Sequence, residues 1–307
     1  MNNVSEIFAE ELKEAFGDRC KIKFNEPMAM RTTFGVGGRA DVFVEPEKET
    51  DLAEIIQLCN QHNIRFYIFG RGSNVLVKDG GIRGVVIHLA GYWFERIVIN
   101  GIEIECGAAA RLKAIAGEAK KNGITGFEFL EGIPGTIGGA LRMNAGAMGG
   151  EIFNIVKTFR LMDYSGKISE ISAEEAGVKY RECESLKNAI ALSAVLRGKI
   201  GDQEKISKKM EDFAAKRQSS QPKERSAGCV FKNPPNISAG KLIDELGLKG
   251  KQIGGAMVSN EHGNFIINTG GAKTADILAL IDFIKNEVKQ QKGILLETEL
   301  EIIGEDL

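Results

Sequence analysis

Glycine is the feature that most limits how this chain can fold. Its 307 residues include 37 glycines, where average usage of about 7% would give far fewer. They are clustered: three fall in 35–38, six in 70–91 and seven in 132–150. A further seven in 247–271 read as turns. Proline numbers only six and no G-X-Y period exists, which excludes collagen and Pro/Gly low complexity. The chain therefore turns tightly, or its backbone approaches something closely, at three places in its first half.

The clusters also exclude two common phosphate-binding folds. The run GIPGTIGG at 132–139 lacks the Gly-Lys-Ser/Thr end of a P-loop. The cluster at 35–38 precedes a strand rather than a helix. The pair Gly70 and Gly72 lacks a third glycine and the acid about 20 residues on that a Rossmann turn needs. What remains is the general ability of glycine-rich turns to bring backbone N–H groups against a pyrophosphate. Each loop alone reads equally as an ordinary turn; three together point to an anionic cofactor.

Charge and cysteine usage narrow the class. A formal net charge of −2 offers no basic face for nucleic acid. The cysteines (Cys20, Cys59, Cys106, Cys183 and Cys229) are odd in number and form no C-x-x-C pair, which reads as reduced thiols in a cytoplasm. Three histidines argue against a zinc site, and no metal is expected. The acidic, amphipathic N-terminus is not a signal peptide, and no apolar run approaches the ~20 residues of a membrane span. A soluble, cytoplasmic monomer is expected.

Periodicity gives the elements. Val4, Ile7, Phe8, Leu12 and Phe16 recur at helical spacing. Strand 41–44, helix 51–59 and strand 64–69 form a β-α-β unit, and strand 85–89 follows. Hairpins are expected around Asn100-Gly101 and Ser165-Gly166, a helix over 111–121 closed by Asn122-Gly123, and a buried strand over 189–196. After about residue 200 the chain turns charged and polar, with a helix on Ile206, Met210 and Phe213 and a turn-rich segment at 218–222. The remainder reads as strand 229–232, helix 240–246, strands 256–259 and 265–268, helix 275–290 and a final strand 294–303, which is an α+β pattern. In that last strand Ile294, Leu296, Leu300 and Ile302 share one face, and Glu297, Glu299 and Glu301 the other.

Seven motifs occur in one order: RTTFGVGGRADVFVEP from Arg31, FGRGSNVLVKDGG from Phe69, GIPGTIGGALRMNAGAMGG from Gly132, KYRE from Lys179, SAGCVFKNP from Ser226, AGKLIDELGLKGKQIGGAMVS from Ala239 and LETELEIIG from Leu296. Together they resemble the UDP-N-acetylenolpyruvoylglucosamine reductase (MurB) family, over roughly residues 28–304. The resemblance implies an α+β fold: a two-part FAD-binding region of the vanillyl-alcohol-oxidase (PCMH) type, at 1–92 and 93–200, and a C-terminal α+β substrate domain at 201–307. It implies NADPH-dependent reduction of UDP-N-acetylglucosamine enolpyruvate to UDP-N-acetylmuramate through FAD, in peptidoglycan precursor synthesis. The alternative is another FAD-dependent oxidase or dehydrogenase of the same fold, acting on an alcohol.

The site residues follow from the same resemblance. Gly70, Arg71, Gly72, Ser73 and Asn74, with Ile133, Pro134, Gly135, Thr136, Gly138 and Gly139, match the loops that wrap the flavin diphosphate and ribityl chain, and Asn144 and Gly146 lie beside them. No histidine falls in these loops, so the FAD is expected to be noncovalent. Arg181 matches the active-site arginine, whose planar fork suits a carboxylate, and Tyr180 a neighbouring tyrosine. Cys229 matches the proton donor, often serine in the family; a thiol with an ordinary pKa near 8.5 is the stronger acid. Glu299 matches a glutamate that assists protonation and holds the enol. Thr298 and Glu301 stand where the family usually has proline and arginine. Asn233, Lys249 and His262 match substrate contacts. The 48-residue step from Arg181 to Cys229 leaves no room for the family's tyrosine-loop insertion, so the shorter class is assigned.

Overall fold

A computed structural model describes residues 6–307; Val4 of the predicted first helix lies outside them. The chain divides into two compact units. One holds the residues up to Lys23 with Val42–Gly70 and Gly84–Arg217. The other holds Phe24–Asp41, Arg71–Arg83 and Gln218–Leu307. Helices and strands mix in both, giving an α+β protein. Among the described residues, no helix is long and apolar enough to cross a membrane.

In the first unit, helix Glu6–Phe16 buries Phe8, Leu12 and Phe16, the i, i+4, i+8 stripe its sequence announces. Helix Glu49–Gln61 buries Leu52, Ile55, Ile56 and Cys59. Its Asp51, fully buried, accepts the Lys48 N–H at 3.2 Å and meets the Arg19 guanidinium at 2.9 Å. A carboxylate in a helix's first turn also faces the positive end of the helix dipole. The predicted β-α-β unit is present, as Arg39–Glu45, Glu49–Gln61 and Phe66–Phe69, but its strands are not neighbours. Strand Ile82–His88 lies between them, and Phe66–Phe69 pairs with it in parallel, Phe66 opposite Val85.

A five-stranded antiparallel sheet completes this unit, in the order Ile168–Ser172, Val156–Asp163, Ala189–Arg197, Glu103–Gly107, Ile97–Asn100. The central Ala189–Arg197 is almost wholly buried, which explains its unbroken apolar run. The first hairpin differs by one residue from its sequence signal: Asn100 pairs with Glu103, so the loop is Gly101-Ile102. Arg160 on the sheet grips Glu49 of the helix with both guanidinium nitrogens, at 2.6 and 2.8 Å. Helix Gln203–Ser220 runs two turns beyond Phe213, through residues whose polar composition had read as a turn.

The second unit is built on one apolar core. Helix Thr274–Lys292 supplies Ile277, Leu280, Ile281, Ile284 and Val288 at helical spacing, packed with Phe34, Leu76, Val230, Phe231, Leu242 and Ile243. Each such side chain contributes ~1.5–3 kcal/mol when fully buried. Asp79 caps this helix from a distant loop, its carboxylate accepting the Thr274 and Ala275 N–H groups at 3.0 Å each. Strands Gln252–Ile253, Ala256–Val258 and Ile266–Asn268 form an antiparallel sheet.

Two predicted strands are not regular. Of 294–303 only Glu301–Ile303 is a strand, pairing in parallel with Val75–Val77. Segment 229–232 makes single bridges, Cys229 to Phe265 and Phe231 to Thr298. The reason is a side chain. Asn264, 3% exposed, accepts the Phe231 N–H at 2.9 Å and donates to the Phe231 carbonyl at 2.8 Å, standing where a strand neighbour would. Each of these buried backbone groups would cost about 1–3 kcal/mol unpaired.

Candidate active site

Arg181 sits on a tight turn in the first unit. Strands Val178–Lys179 and Glu182–Cys183 pair with Lys179 opposite Glu182, so Tyr180-Arg181 is a two-residue loop. Arg181 has φ of 57°, a left-handed conformation usual for glycine or asparagine in such a turn. Holding a bulky residue there carries a strain of order 1–3 kcal/mol. The guanidinium carbon lies 5.0 Å from the Tyr180 ring centroid, and Nη1 donates to the Asn144 carbonyl at 3.4 Å. Tyr180 is 46% exposed, whereas Arg181 is half-buried.

The second unit brings together three other predicted residues. The Glu299 N–H donates to the Val230 carbonyl at 2.9 Å, beside the Phe231–Thr298 bridge. Cys229 and Glu299 therefore lie on adjoining strands of chain, one residue out of step. Asn74 ties the third segment to them: its side-chain N–H₂ donates to the Glu299 carbonyl at 3.0 Å, and its own carbonyl accepts the Glu301 N–H at 3.1 Å. Thr33 fixes Gly72, two residues before Asn74, donating its N–H and hydroxyl to the Gly72 carbonyl at 3.0 and 3.2 Å. Cys229 is partly exposed, as are Ser73, Asn74 and Glu299 on these segments, and Arg71 is exposed. The thiol, a carboxylate and an asparagine loop thus share one scaffold, although 225 residues separate Asn74 from Glu299.

The glycine tracts of the first unit differ in the room around them. A Cβ added at Gly70 would meet only Thr136 Oγ1, at 3.6 Å, among the described residues, and at Gly139 it would meet nothing within 4 Å. Protein packing does not demand glycine at either position, whereas close approach of a ligand would, so these residues fit a dinucleotide cofactor. Gly138 and Gly146 are different. A Cβ at Gly138 would press on Ala108 at 3.2 Å, and one at Gly146 would meet the Gly150 carbonyl at 2.8 Å. The Ile137 and Gly138 N–H groups are spent on the Ala110 and Ala108 carbonyls, at 3.0 and 2.8 Å. Ile133, Pro134 and Gly135 lead into helix Ile137–Arg142, for which Thr136 is the N-terminal flanking residue.

The substrate candidates also show their internal duties. The Asn233 carbonyl oxygen of the side chain accepts the Ala239 N–H at 3.0 Å, at the start of helix Ala239–Glu245. Lys249 pairs with Asp244 at 3.0 Å. Burial, and then the nearby Lys249 charge, push His262 below its ordinary value. His262 Nδ1 accepts the Asn264 N–H at 3.1 Å, which leaves the proton of the neutral ring on Nε2. Among the described residues, no group of three His, Cys, Asp or Glu side chains could hold a metal ion.

Two family models match the chain: a FAD binding domain over residues 40–172, and the C-terminal domain of UDP-N-acetylenolpyruvoylglucosamine reductase over 221–303. The UDP-N-acetylenolpyruvoylglucosamine reductase of Clostridioides difficile strain 630 is 46% identical over 287 residues, 93% of this chain and 94% of its own. That of Clostridium kluyveri is 43% identical over 306 residues, 99% of this chain and all of its own. The chain belongs to the UDP-N-acetylenolpyruvoylglucosamine reductase family. Its fold agrees with the crystal structure of the Thermus caldophilus reductase, at a TM-score of 0.81 and 36% identity over 93% of this chain and 99% of that one. A glucose oxidase variant of Phl p 4 matches at a TM-score of 0.50 with 13% identity, covering 64% of this chain and 45% of its own, which shows the fold alone. This member of the reductase family is thus a FAD-dependent oxidoreductase on a PCMH-type α+β scaffold.

The reductase's cysteines separate by environment. Burial pushes Cys20 up to about 11, and Cys59 and Cys106 up to about 12; burial also raises Cys183. A raised thiol pKa keeps the unreactive protonated form until pH approaches that value. All four are buried, and Cys229 is the one partly exposed. Iodoacetamide at pH 7.5 is expected to label Cys229 and spare the other four, as read by peptide mass spectrometry on the native protein. Equal labelling of Cys59 or Cys106 would contradict this.

Proposed function

We propose that this chain catalyses NADPH-dependent reduction of UDP-N-acetylglucosamine enolpyruvate to UDP-N-acetylmuramate, a step in peptidoglycan precursor synthesis. The observation that carries the residue roles is the scaffold of the second unit, where Cys229 and Glu299 lie on adjoining segments and Asn74 holds the Glu299 backbone. In this reading the enzyme is a cytoplasmic monomer, with flavin-binding subdomains at 1–92 and 93–200 and a substrate domain at 201–307.

The residues at 70–74 and 133–139 would hold FAD, which would supply two-electron chemistry between NADPH and the enol ether. The protein's part is electrostatic and protonic. Reduction places a hydrogen on the terminal methylene carbon and builds negative charge on the adjoining carbon and its carboxylate. Arg181 offers that carboxylate a planar, permanently charged fork. Tyr180 supports the guanidinium through its ring face. Cys229 gives its Sγ proton to the carbon next to the carboxylate, and the thiolate is reprotonated from solvent. Glu299 holds the enol form while that transfer occurs. Asn233, Lys249 and His262 contact the nucleotide sugar.

The test is anaerobic. The FAD-loaded protein is bleached by one equivalent of NADPH, and UDP-N-acetylglucosamine enolpyruvate is then added. The yellow absorbance near 450 nm is expected to return. A flavin that stays reduced while NADPH still bleaches it would overturn the substrate assignment.

A further inference from the structure

Asn144 lies in the glycine tract matched to the flavin loops, yet its surroundings describe a different task. It is 2% exposed and adopts φ of 42°, a left-handed conformation that asparagine tolerates. Its side-chain N–H₂ donates to Glu151 Oε2 at 2.9 Å and to the Lys179 carbonyl at 3.3 Å. Turning the amide over would set its oxygen against a carboxylate and a carbonyl, so the orientation is fixed by chemistry. Its backbone carbonyl accepts from Arg181 Nη1 at 3.4 Å. One buried residue therefore holds the Val178–Lys179 strand by its side chain and the guanidinium at the tip of the same turn by its main chain.

The anchor is itself anchored. Glu151 closes a two-residue hairpin in which Glu151 pairs with Gly146 and Gly150 with Ala147. Its N–H is taken by Asn154 Oδ1 at 2.9 Å. At Gly146 an added Cβ would lie 3.0 Å from Glu151 Cγ and 3.5 Å from Arg181 Nη1, so this glycine clears space for the same assembly. The Asn144 side-chain oxygen, buried, has no hydrogen-bond partner among the described residues. At 2% exposed, Asn144 offers almost no surface to a ligand, while its amide N–H₂ is engaged with Glu151 and Lys179.

We infer that Asn144 is a positioning residue for Arg181, acting through the 178–183 hairpin, and that its side chain does not contact the flavin. This rests on the role given to Arg181 above. The turn can carry a strained arginine because the strand beneath it is pinned by a hydrogen bond to a neighbouring loop.

The test uses Asn144→Gly, which keeps the left-handed backbone and removes the side chain, and Asn144→Asp, which keeps shape but replaces two donors with acceptors facing Glu151. Both are measured as FAD-loaded enzymes beside Arg181→Gly and the Asn144→Gly/Arg181→Gly double variant. Flavin content, FAD affinity of the stripped protein and the rate of bleaching by NADPH are expected to stay within about threefold of the parent. Substrate-driven return of flavin absorbance is expected to slow by about 10- to 100-fold in each Asn144 variant, with no further loss when Asn144→Gly is added to Arg181→Gly. Loss of FAD from both Asn144 variants, or losses that multiply in the double variant, would overturn the inference. An Arg181→Gly enzyme that reoxidises normally would instead overturn the role of Arg181.

Discussion

Cys229→Ala is expected to leave flavin bleaching by NADPH unchanged and to slow substrate-driven flavin reoxidation by about 10²–10⁴-fold, the usual contribution of a positioned general acid. The expectation follows from where the thiol sits. Its main chain bridges Phe265, and the next residues are gripped by Asn264 and by segment 298–299. Removing one sulfur disturbs none of these backbone bonds, so the fold is expected to survive. Cys229→Ser keeps a single donor at the same place and is expected to retain activity within about tenfold, since a hydroxyl donates a proton with similar geometry. Stopped-flow absorbance of the two half-reactions separates the outcomes. If Cys229→Ala reoxidises at the parent rate, the thiol is structural and the proton comes from elsewhere.

Arg181→Gly is expected to separate activity from stability. Glycine adopts φ near 57° without the strain that arginine bears there, a strain of order 1–3 kcal/mol. The variant therefore gains backbone relief against the loss of the guanidinium's contacts, among them the Tyr180 ring and a 3.4 Å hydrogen bond. Its thermal midpoint is expected to match or exceed the parent's. The oxidative half-reaction is expected to fall by about 10²–10³-fold, the scale seen when one group aimed at developing charge is removed. Arg181→Lys keeps charge but not the two-pronged fork, and is expected to recover only part of that loss. A variant with a lower thermal midpoint and normal turnover would mean that Arg181 serves the turn rather than the substrate.

Much of this was written in local sequence. Helices Glu6–Phe16 and Thr274–Lys292 announce themselves by apolar spacing, because a single face is buried. Ser165-Gly166 and Asn122-Gly123 mark turns, because glycine takes the left-handed conformation there. The misreadings share a cause. Segment 294–303 alternates like a strand, and Leu296 and Leu300 are indeed buried, but its partners change along its length: Thr298 makes a single bridge to Phe231, and only Glu301–Ile303 pairs as a continuous strand. Strand Phe66–Phe69 has as its neighbour a strand that comes later in the chain, which no local pattern predicts.

The site was legible in its residue types and not in its support. Motif order named Arg181, Cys229 and Glu299. It gave no sign that Asn74 holds the Glu299 backbone, that Asn264 replaces a strand beside Phe231, or that Arg181 is left-handed. These depend on side chains bonding to main chain 33 or 225 residues away, and on one φ angle. Their only trace in the sequence is an asparagine, a residue equally at home in any turn.

In the proposed reaction this protein adds two hydrogens across an enol ether borne on a UDP-sugar. Anaerobic incubation of the FAD-loaded enzyme with NADPH and UDP-N-acetylglucosamine enolpyruvate, followed by mass spectrometry of the sugar nucleotide, reads that addition. The expected product is heavier than the substrate by two hydrogen atoms and forms in equal amount to the NADPH consumed. Substrate recovered at its original mass while NADPH is oxidised would contradict it.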